Sequence, residues 1–227
     1  MSVLFVAGAG TDVGKTHVTA GLVEALVARG APVAALKPLV SGFDPEDWAE
    51  SDSGRLLSAL GRPLSRAELD ALSPWRYRAA LSPDMAALRE GEAVDFEALV
   101  AFCRRRMAAR AAGPLLIEGV GGAMSPVSAD TTNLDWMRAL GAPVVLVSGS
   151  YLGAISHALT AAAVIRQSGL DLMAIIVSES AAAGAPLAET VASLRRLSGA
   201  RLFSLERDQP SAQWAGPIIQ GLNLIDA

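Results

Sequence analysis

Short runs of consecutive apolar residues alternate along the chain with longer stretches whose apolar positions recur every three or four residues. An apolar run bounded by turn residues reads as a strand covered on both faces. The longer period reads as a helix that packs by one side. On this basis residues 3–8, 32–37, 114–118, 143–147 and 170–177 are predicted strands, with 201–205 as a last one. Residues 14–29, 51–60, 95–112, 132–140, 153–168 and 186–198 are predicted helices. Residues 73–83, with prolines at 74 and 83, read as irregular, and the tail from 208 to 227 has no clear pattern. Continuous apolar strands separated by helices predict one α/β domain over residues 1–227, a doubly wound, mostly parallel sheet with helices on both faces. In such folds ligands sit at the carboxyl ends of the strands. The chemistry is therefore expected in the residues that follow each strand.

Composition narrows the classes. With 52% hydrophobic and 19% charged residues, the chain is not expected to be disordered. Its mean hydropathy of +0.37 raises the question of a membrane span. The longest uncharged stretch, 139–165, is broken by Pro143, Ser148, Gly149, Ser150, Ser156 and His157. A strand, a polar loop and a helix explain it better than one membrane helix. A net charge of −4 and a pI of about 5.2 argue against a broad nucleic-acid surface. The N-terminus has no basic region of the signal-peptide kind. The single cysteine, Cys103, excludes a disulfide framework and points to a reducing cytoplasm.

Charge usage is more specific. Of 19 basic residues only two, Lys15 and Lys37, are lysines. A chain that uses arginine nearly everywhere is expected to keep lysine where a compact ammonium is required. Lys15 closes Gly8-Ala9-Gly10-Thr11-Asp12-Val13-Gly14-Lys15-Thr16, between a predicted strand and a predicted helix. This is the context of a phosphate-binding loop, and the sheet is accordingly of the P-loop NTPase type. Amides of residues 12–16 would point at one anion, Lys15 would reach the β- and γ-phosphates, and the Thr16 hydroxyl would ligate Mg²⁺. The usual glycine at position 9 is Ala9 here, flanked by Gly8 and Gly10.

Lys37 ends the second predicted strand, before Pro38 and Ser41. It is either a second cation at the ligand crevice or a solvated strand end. Glu118 closes the strand before Gly119-Val120-Gly121-Gly122. It is either a metal-linked acid beside a loop that admits a γ-phosphate, or an exposed turn residue. Asp52 reads locally as a helix cap before it reads as a metal ligand. Cys103 and the Arg104-Arg105-Arg106 run read as packing and a solvated face, and no His/Cys metal cluster is apparent.

Together these motifs resemble the dethiobiotin synthetase family. The resemblance extends from residue 3 to about 180. It rests on the loop at 8–16, Lys37-Pro38 with Ser41-Gly42, Ser51-Asp52 and Ser82-Pro83. It continues through Glu118-Gly119-x-Gly121-Gly122 with Pro126, then Asp135-Trp136 and Leu152-Gly153-x-Ile155-x-His157. It implies ATP- and Mg²⁺-dependent closure of a ureido ring on 7,8-diaminopelargonate with CO₂, giving dethiobiotin, ADP and phosphate through a carbamate and a carbamic–phosphoric anhydride. It further implies that Lys15, Lys37, Thr11 and Ser41 act on the reacting groups. Thr16, Asp52 and Glu118 would hold the metal. Asp12, Val13, Gly14, Lys15, Thr16, His17, Asp52, Glu118, Gly119, Val120, Gly121 and Ser178 would surround the nucleotide. Thr11, Asp12, Lys37, Ser41 and the segment Leu152, Gly153, Ala154 and Ile155 would meet the diamine substrate, the last four at its carboxylate tail. The family implies a homodimer. This chain differs from the common pattern at Asp12 (often Glu), Asp84 (often His), Ser156 (often Asn) and Ser178-Glu179 (an Asn that reads adenine), which leaves the base preference open. A switch ATPase of the septum-site kind is the competing reading from another class, but it would carry a lysine near positions 8–10. A related amide-forming ligase is the third.

Overall fold

Strand β1 (Val3–Gly8) feeds two cores at once. Leu4 and Val6 pack on one side of the sheet, while Phe5 and Ala7 pack on the other. This is what an uninterrupted apolar run requires of a strand buried on both faces. The computed structural model describes residues 3–110, 112–181 and 184–225. Position 111, inside a predicted helix, and positions 226–227 of the tail lie outside the described residues.

From β1 the chain enters α1 (Lys15–Val27), returns through β2 (Ala34–Leu36) and makes an excursion. The excursion holds β3 (Leu39–Ser41), α2 (Asp52–Ala59), α3 (Arg66–Leu72), β4 (Trp75–Tyr77), α4 (Pro83–Arg89) and α5 (Phe96–Ala109). Then follow β5 (Leu115–Glu118), α6 (Asn133–Leu140), β6 (Val144–Ser148), α7 (Ala154–Gln167), β7 (Leu172–Ser178), α8 (Leu187–Ser198), β8 (Leu202–Leu205) and α9 (Ser211–Gly221). Six strands form one sheet in the order β2-β5-β1-β6-β7-β8, and every pairing is parallel. The chain therefore reverses its winding direction across β1. That point is where a doubly wound sheet opens a crevice at its carboxyl edge.

The predicted strands and helices of the sheet are all present, with ends displaced by a few residues. Two expectations are corrected. Residues 73–83 are not irregular throughout, since β4 pairs in parallel with β3 in a separate two-stranded sheet. Three-residue strands are too short to show a period. The tail holds α9, despite Pro217 inside it. Trp214, Ile218 and Ile219 of this helix are buried beside α1. Gly21 of α1 makes room, because a Cβ there would lie 2.4 Å from the Trp214 ring. Helices α3 and α4, each of seven residues, also escaped the pattern. Among the described residues no helix is long and apolar enough to cross a membrane. Cys103 is fully buried, and burial pushes its thiol up to about 12, so it packs and does not react.

Candidate active site

The loop at residues 8–16 connects the carboxyl end of β1 to the start of α1. Gly14 is the N-cap of α1 and is left-handed, with φ 91°. A Cβ there would fall 2.7 Å from Ser178 Oγ, so this turn needs glycine on two counts. Asp12 is also left-handed, with φ 55°, an uncommon state for a residue with a side chain. The cap residue has no side chain to satisfy the first amides of α1. Without that partner they suit an anion at the start of the helix. Lys15 Nζ folds back over the loop and donates to Gly10 O at 3.1 Å. Burial and the nearby Lys37 charge push Lys15 down to about 8.

Sheet register brings the second lysine into place. Leu36 of β2 pairs with Ile117 of β5, so the next residues, Lys37 and Glu118, leave adjacent strand ends side by side. Both are buried, at 4% and 0% exposure, which removes the solvated-lysine and exposed-glutamate readings. Lys37 Nζ donates to Glu118 Oε1 at 2.5 Å and to Asp52 Oδ2 at 2.5 Å. Thr16 Oγ1 lies 3.3 Å from the same ammonium and donates to Glu118 Oε1 at 2.6 Å. Asp52 is free for this role because Ser51 takes the cap of α2, accepting from Gly54 N at 3.3 Å. Burial opposes the charge of Lys37, but Glu118 and Asp52 outweigh it and raise its pKa above the ordinary lysine value. Burial likewise opposes the charge of Asp52, and Lys37 outweighs it and holds the carboxyl low.

The glycine-rich turn after β5 has its own clamp. Asn133, at the start of α6, donates from Nδ2 to Val120 O and to Gly122 O, the latter at 2.8 Å. Ser125 Oγ accepts from Gly122 N at 2.7 Å. The helix behind it is fixed by a capping box between Thr132 and Asp135.

These parts face a cleft of about 830 Å³. Thr11, Asp12, Gly14, Lys15, Thr16, His17, Lys37, Ser41, Asp52, Val120 and Gly121 all line it. Val13, Glu118, Gly119 and Ser178 are buried, the last with its hydroxyl turned toward Gly14. Leu152, Gly153, Ala154 and Ile155 do not line the cleft of this chain, and Leu152 is 87% exposed. Tyr151 links that segment to the loop, its hydroxyl bonded to His157 Nδ1 at 2.8 Å and 3.6 Å from where a Cβ on Gly10 would sit.

The chain is similar to known proteins over most of its length. A family model described as "AAA domain" matches residues 2–205. The ATP-dependent dethiobiotin synthetase BioD of Methylobacterium nodulans is 50% identical over 212 residues, covering 91% of this chain and 94% of its own. The enzyme of the same name from Caulobacter vibrioides (strain NA1000 / CB15N) is 53% identical, with coverage of 79% and 81%. The chain belongs to the dethiobiotin synthetase family. Among solved structures, the MinD cell division protein of Aquifex aeolicus superposes with a TM-score of 0.58 at 13% identity, covering 100% of this chain and 98% of that one. The signal recognition particle receptor FtsY of Elizabethkingia anophelis does so with a TM-score of 0.52 at 15%, covering 97% and 65%. At such identities the likeness is one of fold, and it places this family member on the P-loop NTPase architecture.

The donor set of this dethiobiotin synthetase family member fits a hard divalent cation. Thr16, Asp52 and Glu118 offer a hydroxyl and two carboxylates around one point, and Glu118 Oε2 is buried without a protein partner. Oxygen ligands of this kind suit Mg²⁺, which keeps positions for phosphate oxygens and water. Among the described residues no group of three or more His, Cys, Asp or Glu is placed to hold a metal.

Sequence reasoning missed four residues of this neighbourhood. Arg55 and Arg207 line the cleft beyond His17, and Asn133 and Ser125 shape the glycine turn. Arg55 had a signal, one helical turn after Asp52. Arg207 had none, because its position depends on where the loop after β8 returns.

Proposed function

We propose that the chain catalyses ATP-dependent closure of the ureido ring on 7,8-diaminopelargonate with CO₂, yielding dethiobiotin, ADP and phosphate. The observation that carries the reading beyond nucleotide binding is the second buried lysine. Lys37 brings a cation to the phosphate loop's edge that a plain nucleotide site does not need. One amine of the substrate captures CO₂ and loses a proton to give a carbamate. A carbamate oxygen then attacks the γ-phosphorus, and ADP leaves. The second amine attacks the carbamate carbon and loses a proton, the C–O bond to the phosphate breaks, and inorganic phosphate leaves as the ring closes.

Each site residue has a place in this sequence. Lys15 and the amides of the loop bind the β- and γ-phosphates and offset charge on the phosphoryl group in flight. Lys37 stabilises the carbamate anion and the anhydride, with Thr11 and Ser41 donating hydrogen bonds to the carbamate. Asp12 meets an amine. Thr16, Asp52 and Glu118 would hold Mg²⁺, which would supply neutralisation of charge on the phosphate oxygens. The residues 119–121 give the γ-phosphate a backbone wall, and Val13, His17 and Ser178 complete the nucleotide side.

The exposed start of α7 suits the substrate's carboxylate, because helix amides favour an anion. Its position outside the cleft is what a site shared between two copies requires, and a homodimer in the cytoplasm is part of this reading. Sedimentation equilibrium at micromolar concentration tests the dimer, and a monomer would remove the shared site. Phosphate release with Mg²⁺, bicarbonate and each nucleoside triphosphate, with and without the diamine, tests the reaction. Diamine-dependent release with dethiobiotin identified by mass is the expected result. Nucleotide binding by folded protein without diamine-stimulated release would overturn it.

A further inference from the structure

Three oxygens suited to a cation, Thr16 Oγ1, Asp52 Oδ2 and Glu118 Oε1, surround a cation that belongs to the chain. Lys37 Nζ stands 3.3, 2.5 and 2.5 Å from them. An ammonium and a divalent ion cannot share that position, since both take their charge compensation from the same oxygens within one contact distance. We propose that Lys37 makes the metal site conditional on nucleotide. Its ammonium guards the Thr16–Asp52–Glu118 set, and Mg²⁺ enters only when a nucleotide's phosphates offer the ammonium another anion. The inference rests on the reading of those three residues as metal ligands.

The arrangement supplies both halves of such a device. The guarding position is well compensated, because two carboxylates face the ammonium at hydrogen-bond distance and the lysine side chain is only 5% exposed. A bare Mg²⁺ ion would have to displace this ammonium and leave it buried near Lys15 without a counter-charge, which is costly. The route out is short. Lys37 lines the same cleft as Lys15, Ser41 and the glycine turn, so its side chain need only swing from the carboxylates to an anion held beside the phosphate loop. Glu118 Oε2 has no protein partner where it is buried. That oxygen remains available to a metal that carries two charges where the ammonium carries one. The exchange would also deliver Lys37 to the reacting carbamate in the same movement that seats the metal.

The chain's two lysines make the test direct. Protein labelled with ¹³C,¹⁵N-lysine gives one side-chain signal set for Lys15 and one for Lys37, assigned by single substitution. Millimolar Mg²⁺ alone should leave the Lys37 signals in place. Mg²⁺ with ADP, and more fully with a non-hydrolysable ATP analogue, should shift them. Binding of Mn²⁺ to nucleotide-free protein, followed by electron paramagnetic resonance, gives a second readout. Lys37→Met should bind Mn²⁺ at least about tenfold more tightly than wild type, roughly 1.4 kcal/mol. Lys15→Met removes an equal charge nearby without vacating the position and should gain far less. Equal Mn²⁺ affinity in wild type and Lys37→Met overturns the proposal. So does an equal gain from Lys15→Met. The wild-type spectra decide even if a variant fails to fold, because Lys37 signals that stay unmoved by Mg²⁺ and nucleotide together also overturn it. Absence of any Mn²⁺ binding with nucleotide present overturns the metal reading itself, a different failure.

Discussion

The two ends of the cleft are built differently. At the end proposed to react, Lys37, Glu118, Thr16 and Asp52 form a mostly buried network with contacts of 2.5–3.3 Å. At the other end, His17 is exposed, and the tie between β7 and the loop after β8 runs through Glu179, whose side chain accepts from Arg207 N at 3.1 Å. Ser178 is buried and turns its hydroxyl toward Gly14. Buried charges must be placed closely or they cost more than they return. An exposed rim carries no such demand. The buried end is therefore constrained by stability, while the exposed rim can vary at little cost.

That contrast can be broken by substitution. The largest stability effect is expected at Glu118→Gln, which removes one of the two counter-charges of buried Lys37. About 3 kcal/mol should be lost in urea unfolding, the low end for a broken buried pair because Asp52 still faces the lysine. Adding Lys37→Met to Glu118→Gln should restore part of that loss. Lys37→Met alone should lower diamine-dependent turnover by roughly 10²–10³, as for removal of a key electrostatic contact. A smaller effect, about 1–3 kcal/mol in unfolding, is expected at Asn133→Leu, which leaves the Val120 and Gly122 carbonyls without their donor. Arg207→Ala at the rim should change stability by about 0.5 kcal/mol or less. A loss at Arg207 as large as that at Glu118 would abolish the distinction between the two ends.

The same logic explains what the sequence disclosed. The phosphate loop was legible because Gly14, Lys15 and Thr16 are consecutive and the loop lies between a strand and a helix. Lys37 and Glu118 were each suspected from their place after a strand. Their pairing was not readable, since it depends on the register of β2 against β5, strands separated by the whole excursion. The sheet strands were legible from their apolar runs. β3 and β4 were not, because three residues show no period. α9 was hidden by Pro217, a breaker that here sits in a helix anchored by Trp214, Ile218 and Ile219. Arg207 reaches the cleft only through tertiary return of the chain.

A pH-dependent effect is expected in the support behind the buried end of the cleft. Hydrogen bonds from Thr132 hold the Asp135 carboxyl below its ordinary value of 3.8. A carboxyl depressed in the folded state adds stability above its unfolded value and loses it as pH falls through the folded one. Asp135→Ala should cost about 1 kcal/mol at neutral pH. Thermal unfolding from pH 7 to pH 2 should show the difference from wild type closing below about pH 4.

The most direct test of the division of labour measures two properties of Lys37→Met together, the affinity for ADP without divalent metal, where the ammonium stays on Glu118 and Asp52, and the single-turnover rate of diamine-dependent phosphate release with Mg²⁺. The account predicts ADP affinity within about threefold of wild type, under 1 kcal/mol, with release slowed by roughly 10²–10³. Equal losses in both would contradict it, placing Lys37 in nucleotide binding instead of at the reacting carbamate.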